Sequence, residues 1–269
     1  MRALYQPRCV LSILAAMDTI RTALITGASS GIGAALALAL ARPGVSLHLS
    51  GRDASRLAAV AETCRKSGAV ANLTVLDVTN ADAMAEWIRA TGHLDLVVAN
   101  AGISGRSRDG GGESFEATRA IFDVNLGGVL NTVLPAMAVM AAQPAGGDGV
   151  RGRIVAIASI AAFMAAPDSA AYCASKAAVH RWMLASAPEA RQRGIVMTSV
   201  CPGFIRTAMT AGYRFPMPGL MDADRAARRI LRGVAAGRVR IVFPWWMGLA
   251  ARTAGLLPPS MMAAMARRR

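Results

Sequence analysis

The stretch Tyr172-Cys173-Ala174-Ser175-Lys176 sets a phenol and an ammonium four residues apart, so a helix running through them carries both on one face. An unperturbed phenol titrates near pH ~10, and work near neutrality requires a shift of ~3 units, or ~4 kcal/mol favouring the phenolate. A cation a few ångströms away pushes in that direction. Tyr172 can then give a proton to a carbonyl oxygen or take one from an alcohol. An amphipathic helix with a surface lysine would show the same pair. Against that reading, the 30 basic residues include only two lysines, Lys66 and Lys176, and a compact ammonium reaches where a forked guanidinium does not. Upstream, Ser159 closes an apolar run and offers a hydroxyl that can hydrogen-bond a substrate oxygen and steady a developing alkoxide.

A second group of residues suits phosphate. Thr26-Gly27-Ala28-Ser29-Ser30-Gly31-Ile32-Gly33 follows the apolar run Thr22-Ala23-Leu24-Ile25 and precedes Ala34 to Ala41, which is nearly all Ala and Leu. The pattern reads as buried strand, glycine turn and buried helix. Glycines let a backbone approach an anion, and the free N–H groups and positive dipole end of the helix face it.

Elements that could position both groups alternate along the chain. Strands are expected at Val45–Ser50, Leu73–Leu76, Leu94–Ala99, Arg153–Ser159, Ile195–Val200 and Val239–Val242. Between them helices are expected at Asp53–Lys66, Asn80–Ala90, Glu113–Ala141, Ser169–Arg193 and Asp222–Ala236. With the first strand this makes an α/β fold: a Rossmann-type doubly wound parallel sheet of about seven strands with helices on both faces. Ligands in such sheets sit beyond the carboxyl ends of the strands. The glycine-rich patches at 110–112 and 145–152 read as surface loops.

Composition narrows the class. The 269 residues suit one α/β domain. The formal charge is +14, yet the basic residues are scattered and aromatics make up only 5%, which disfavours nucleic-acid binding. Cys9, Cys64, Cys173 and Cys201 lack metal-type or paired spacing, so a reducing cytoplasm and no metal are expected. No apolar run reaches the ~18 residues of a membrane span. Residues 1–19 form an N-terminal extension; Arg2, Arg8 and the apolar Cys9 to Ala16 outline a short signal sequence, but a start at Met17 is the simpler reading. Residues 20–243 would be the dinucleotide-binding and catalytic domain, and 244–269 an apolar and basic extension. That extension holds Trp245, Trp246, Pro258, Pro259 and Arg267-Arg268-Arg269. It suits packing against a subunit or over the cleft, or else peripheral membrane contact.

Taken in order, the strand ends offer the glycine turn, Ser50-Gly51-Arg52, Asp77, Asn100-Ala101-Gly102, Ser159, and Pro202-Gly203 with Thr207 beyond. With Tyr172 and Lys176 on the following helix, residues 20–210 resemble the short-chain dehydrogenase/reductase family. The resemblance implies an oxidoreductase that moves hydride between a nicotinamide cofactor and a C–O group. Ser159, Tyr172 and Lys176 match its catalytic residues, and Asn125 matches a fourth that holds a water linking Lys176 to solvent. It also assigns the cofactor Gly27, Ser29, Ser30, Gly31, Ile32 and Gly33 in the turn, with Asp77 and Val78 at adenine. Asn100, Ala101 and Gly102 would border the ribose, and Pro202, Gly203, Ile205 and Thr207 would cup the nicotinamide and pyrophosphate. A lid is implied over Ala208 to Met221, with Met209, Tyr213, Phe215, Met217, Leu220 and Met221, suiting a lipophilic or bulky substrate. A homodimer or homotetramer is implied, with His180 on the outer side of its helix or at a subunit contact.

Cofactor choice turns on the end of the second strand. NAD enzymes place an acid there for the ribose hydroxyls. Here Gly51 is followed by Arg52, which suits a 2′-phosphate, so NADP(H) is expected over NAD(H). Asp53 reads as a helix N-cap. Competing readings are an NAD-dependent alcohol dehydrogenase, an epimerase of the same chemistry, and an inactive nucleotide-binding scaffold.

Overall fold

A computed structural model describes residues 19–104, 113–166, 169–211 and 216–256. The strands are β1 (Thr22–Thr26), β2 (Ser46–Gly51), β3 (Val70–Val75), β4 (Leu96–Ala99), β5 (Gly152–Ile157), β6 (Ile195–Pro202), β7 (Ile205–Arg206), β8 (Met221–Asp222) and β9 (Arg240–Phe243). The helices are α1 (Gly31–Leu40), α2 (Ala54–Lys66), α3 (Ala81–Ala90), α4 (Phe115–Phe122), α5 (Gly128–Ala142), α6 (Ala170–Gln192), α7 (Ala223–Ala235) and α8 (Trp245–Ala254).

Seven strands form one parallel sheet in the order β3-β2-β1-β4-β5-β6-β9. Order reverses between β1 and β4, so a crevice opens there beyond the strand ends. Period-two alternation splits each central strand between two cores. Ile25, Val98 and Val155 join α1, α2 and α7 on one face, through Leu36, Leu57 and Ile230. Leu24, Val97 and Ile154 join α3, α5 and α6 on the other, through Met84, Val133 and Val179.

The expected Rossmann-type architecture is present, with four local differences. β3 starts at Val70 rather than Leu73; as a sheet edge it leaves Val70 and Val75 exposed, so its sequence lacks a continuous apolar run. β5 stops at Ile157, and Ser159 instead caps a 3₁₀ turn over Ile160–Phe163. The long helix is split: a π-helical turn, Asp123–Gly127, separates α4 from α5. The stretch Phe115–Ala142 is also long and apolar enough to cross a membrane, although no such run was expected; here Val129, Val133, Ala136 and Met140 pack into the core beneath the sheet. The expected features at residues 1–17, 110–112, 213, 215 and 258–269 lie outside the described residues.

Candidate active site

The crevice between β1 and β4 is held open by one threonine. Thr26 Oγ1 donates to the Val98 carbonyl at 3.4 Å and accepts from Asn100 N and Ala101 N at 3.0 and 3.2 Å. Asn100 Nδ2 returns the favour to the carbonyls of Thr26 and Gly27 at 3.0 and 3.1 Å. The glycine turn is thereby pinned to the end of β4. Gly27 and Gly31 sit at φ +64° and +58°, a region that disfavours other residues. At Gly33 a Cβ would lie 2.4 Å from the Gly27 carbonyl, so only glycine lets α1 start this close to β1. No side chain caps the first turn of α1, and that turn holds no acid. Its N–H groups are directed to the crevice as donors for an anion.

A cavity of about 580 Å³ extends from this turn to the helix that carries the phenol. Gly27, Ser29, Ser30, Gly31 and Ile32 line one part, with Arg52, Asp77 and Val78 at one end. Asn100, Ala101 and Gly102 also line it, as do Ser159, Tyr172, Lys176, Pro202, Gly203, Ile205 and Thr207, with Thr207 packed against Gly31 and Lys176 beside Gly102. Nearly every expected site residue therefore faces one space. Gly33 and Asn125 stand behind its wall.

Bordering this cavity, α6 carries Tyr172 and Lys176 one turn apart, with the ammonium 5.9 Å from the phenol ring centroid. Lys176 is 4% exposed, and its Nζ donates to the Ile157 carbonyl at 2.9 Å. Burial lowers its pKa from 10.5 to about 8, which still leaves it cationic at neutrality. Ser159 Oγ accepts from Ala161 N at 3.1 Å, which fixes the hydroxyl while leaving its own proton to be donated. Glu113 Oε2 accepts from Ala171 N at 2.6 Å, so a carboxylate caps the start of α6.

Asn125 occupies the π turn rather than a regular helix. Its Oδ1 accepts from Ile103 N at 2.8 Å, and its Nδ2 donates to the Ile103 carbonyl and to Ser175 Oγ at 3.0 and 3.2 Å. Its carboxamide thus ties the loop after β4 to α6.

Outlying expectations fare unevenly. Asp53 caps α2 by accepting from Arg56 N at 2.9 Å, as expected. Asp77 Oδ1 accepts from Thr79 N and Oγ1, at 3.0 and 2.9 Å, and Arg52 lies 3.7 Å away. These bonds, led by the one from Thr79 N, hold its carboxyl below the usual range. Met221 is part of β8 and packs into the core, so it is not lid. His180 is also misplaced by the sequence reading. It is buried, not outward: its Nδ1 shares a hydrogen bond with Ser199 Oγ at 2.8 Å, and the Phe163 ring meets it edge-on at 5.0 Å.

The family model for short chain dehydrogenase matches residues 21–216. The chain belongs to the short-chain dehydrogenase/reductase family. An uncharacterized oxidoreductase of Myxococcus xanthus is 39% identical over 255 residues, covering 92% of this chain and 97% of its own. A short-chain dehydrogenase from Sphingobium yanoikuyae, solved in complex with NADPH, superposes with a TM-score of 0.74 at 28% identity, covering 88% of this chain and 95% of that one. A short-chain dehydrogenase/reductase from Mycobacterium marinum gives 0.74 at 28%, covering 86% and 96%.

Members of the short-chain dehydrogenase/reductase family are oxidoreductases that bind a nicotinamide cofactor, and the residues of this one fit such a group. The Gly33 approach and uncapped α1 make an anion cradle, and the cavity is continuous from it to Lys176. Arg56 also lines the cavity at the Arg52 end, although no motif marked it. Arg52 precedes the N-cap of α2 and Arg56 lies in its first turn, so helical spacing does not link the two and no sequence signal marks Arg56.

Proposed function

We propose that this oxidoreductase is NADP(H)-dependent and interconverts a carbonyl with a secondary alcohol, with Tyr172 as the general acid and base. The observation that carries the reading is the shared cavity: a phenol, an ammonium and the Ser159 hydroxyl border the space that the glycine turn opens. Residues 20–243 act as the dinucleotide-binding and catalytic unit, and 244–269 as its extension.

The glycine turn from Gly27 to Gly33 would hold the diphosphate, Asp77 and Val78 the adenine, and Asn100 to Gly102 the ribose. Pro202, Gly203, Ile205 and Thr207 would hold the nicotinamide end. Arg52, with Ser29 close by and Arg56 behind, would take the 2′-phosphate. Its contact with Asp77 is a 3.7 Å pair between groups exposed by 65% and 41%, too weak to hold it back. When bound, the cofactor supplies hydride chemistry at a carbon of the substrate.

The chain's own residues handle the oxygen. Ser159 Oγ, oriented by Ala161 N, donates a hydrogen bond to it. Tyr172 Oη passes its proton to the same oxygen in reduction and receives it in oxidation. Lys176 stabilises the resulting phenolate through its charge. Asn125 holds the α4–α5 turn against α6. Ile103, Ala208 and Met209 border the cavity and favour a lipophilic substrate. We place the enzyme in the cytoplasm as a homodimer or homotetramer, as the family's oligomeric habit suggests; Cys64, Cys173 and Cys201 are free thiols, which suits a reducing compartment.

A panel of lipophilic ketones assayed with NADPH and with NADH tests the reading. Tyr172→Phe should lose turnover by roughly 10²- to 10⁴-fold while NADPH still titrates normally. Equal turnover in the variant would remove Tyr172 from the chemistry.

A further inference from the structure

Helix α6 continues past the phenol with a third polar side chain on the same face. Tyr172, Lys176 and His180 follow one another at spacing four, and His180 is buried. Lys176 ties the helix to the end of β5 through the Ile157 carbonyl. His180 ties it to the end of β6, where Ser199 and Cys201 share one face of the strand and are fully buried. Its Nδ1 lies 2.8 Å from Ser199 Oγ and 3.4 Å from Cys201 Sγ. The Ser199 hydroxyl also bonds the thiol. Burial pushes that thiol up to about 11, so it is uncharged at neutrality and no nucleophile. Core packing alone does not call for this cluster. A strand covered on both faces is built most cheaply from apolar side chains, and buried polar groups cost free energy unless they are bonded.

The bonds of the cluster lead to Ser159. The ladder between β5 and β6 ends with Ala158 N donating to the Val200 carbonyl at 2.7 Å. One residue further on, the Ser159 N–H is taken by Cys201 Sγ. Ser159 then heads the 3₁₀ turn, and Phe163 at its other end sets its ring at right angles to the His180 imidazole, 5.0 Å between centroids. From α8, the Arg252 guanidinium lies 4.6 Å from the centre of the same ring, and Gly255 packs so close to the Phe163 carbonyl that no Cβ would fit. The turn is thus held at its head by β6 and at its tail by α6 and α8.

We propose that Cys201 and His180 are positioning residues for Ser159: together they fix the turn that it heads, and so aim its hydroxyl at the substrate oxygen. This rests on the proposed reaction, in which that hydroxyl hydrogen-bonds the oxygen. Ala161 N also orients Ser159 Oγ, but Ala161 belongs to the same turn and moves with it. Cys201 and His180 refer the turn to the sheet and to the helix that bears Tyr172. A thiol is a weak acceptor, so losing it should cost less than losing the Ser159 hydroxyl itself.

The first arm of the test needs no substrate. Amide hydrogen exchange in the full-length chain, read by NMR, should show the Ser159 N–H protected. In Cys201→Val, which keeps the bulk and removes the acceptor, it should exchange roughly tenfold faster or more. Cys201→Ser supplies a hydroxyl acceptor and should restore most of the protection. The second arm is kinetic, with a ketone that the parent reduces. Cys201→Val and His180→Leu should each lower kcat roughly tenfold while NADPH affinity stays unchanged. In a Ser159→Ala background neither should cause a further loss, because residues that act only through Ser159 have nothing left to aim. His180→Leu carries the same test should the Cys201→Val chain fail to fold. Losses that multiply in the double variants, or an unchanged exchange rate at Ser159, overturn the proposal. The two readings fail separately. A parent inert toward every ketone, with Ser159 N–H protected through Cys201, sinks the reaction; an active parent with unchanged exchange sinks the positioning role alone.

Discussion

Asn125 Nδ2 donates to Ser175 Oγ at 3.2 Å inside the protein, joining the π turn between α4 and α5 to the helix that bears Tyr172 and Lys176. Ser175 Oγ in turn donates to the Tyr172 carbonyl at 2.9 Å. Asn125 is fully buried, and its other bonds go to both backbone groups of Ile103. Asn125→Ala leaves the Ile103 N–H and carbonyl without these partners, at a cost of about 1–3 kcal/mol. Thermal unfolding should show a melting temperature lower by roughly 2–10 °C. An unchanged melting temperature would mean that water replaces the carboxamide without loss.

The burial of Lys176 gives a pH signature. Its folded-state pKa is lowered to about 8 by desolvation, against 10.5 in the unfolded chain. Between those values the unfolded chain binds a proton that the folded one does not, so this group makes stability rise with pH across that window. The catalytic requirement has the opposite sign. In the proposed mechanism Tyr172 needs the ammonium, so kcat/KM for carbonyl reduction should fall as pH rises through about 8. Lys176→Met should cost turnover roughly 10²- to 10⁴-fold, and should abolish the stability increase above pH 8. A variant whose stability still rises there like that of the parent would place the titration elsewhere.

The proposed preference for NADP(H) rests on Arg52. Its guanidinium is 65% exposed and lies 3.7 Å from Asp77, so it is free to meet a phosphate. A charge-assisted bond of about 1.5–3 kcal/mol predicts that Arg52→Ala weakens NADPH binding roughly 10- to 150-fold. NADH should bind almost as before. Fluorescence titration with both nucleotides measures the ratio, and parallel losses would assign Arg52 a structural part only. Arg56, on the same side of the cavity, is partly committed to Asp53 at 2.7 Å, and its removal should have a smaller effect.

Residues whose placement is set by local structure are readable from the sequence, and those placed by distant partners are not. The glycine turn declares itself because strand, glycines and helix are contiguous. Tyr172 and Lys176 declare themselves because helical spacing puts them on one face. The π turn at Asn125 is invisible to periodicity, because one added residue in a long apolar helix leaves its composition unchanged. Met221 reads as lid from its neighbours, yet pairing of β8 with β7 carries it into the core. The sequence pattern shortens β3 for a related reason: an edge strand alternates, and Val70 to Asn72 do not form an apolar run.

His180 shows the same limit and supplies a test. Helix α6 is covered on two sides, so a histidine one turn beyond Lys176 is enclosed rather than outward. It meets Ser199 Oγ at 2.8 Å, Cys201 Sγ at 3.4 Å and the edge of Phe163, with the cations of Arg240, Arg181 and Arg252 nearby. Desolvation, then those arginines, lowers its pKa from 6.5 to about 4. In the window between these values the unfolded chain takes up a proton and the folded chain does not, so stability drops as pH falls from 6.5 toward 4. His180→Gln keeps a polar partner for Ser199 and removes the titration. Melting temperatures recorded across pH 4 to 7 should therefore decline less steeply in the variant than in the parent. Parallel curves would mean that His180 is protonated in the folded protein at the same pH as in the unfolded chain, and that its enclosure carries no electrostatic cost.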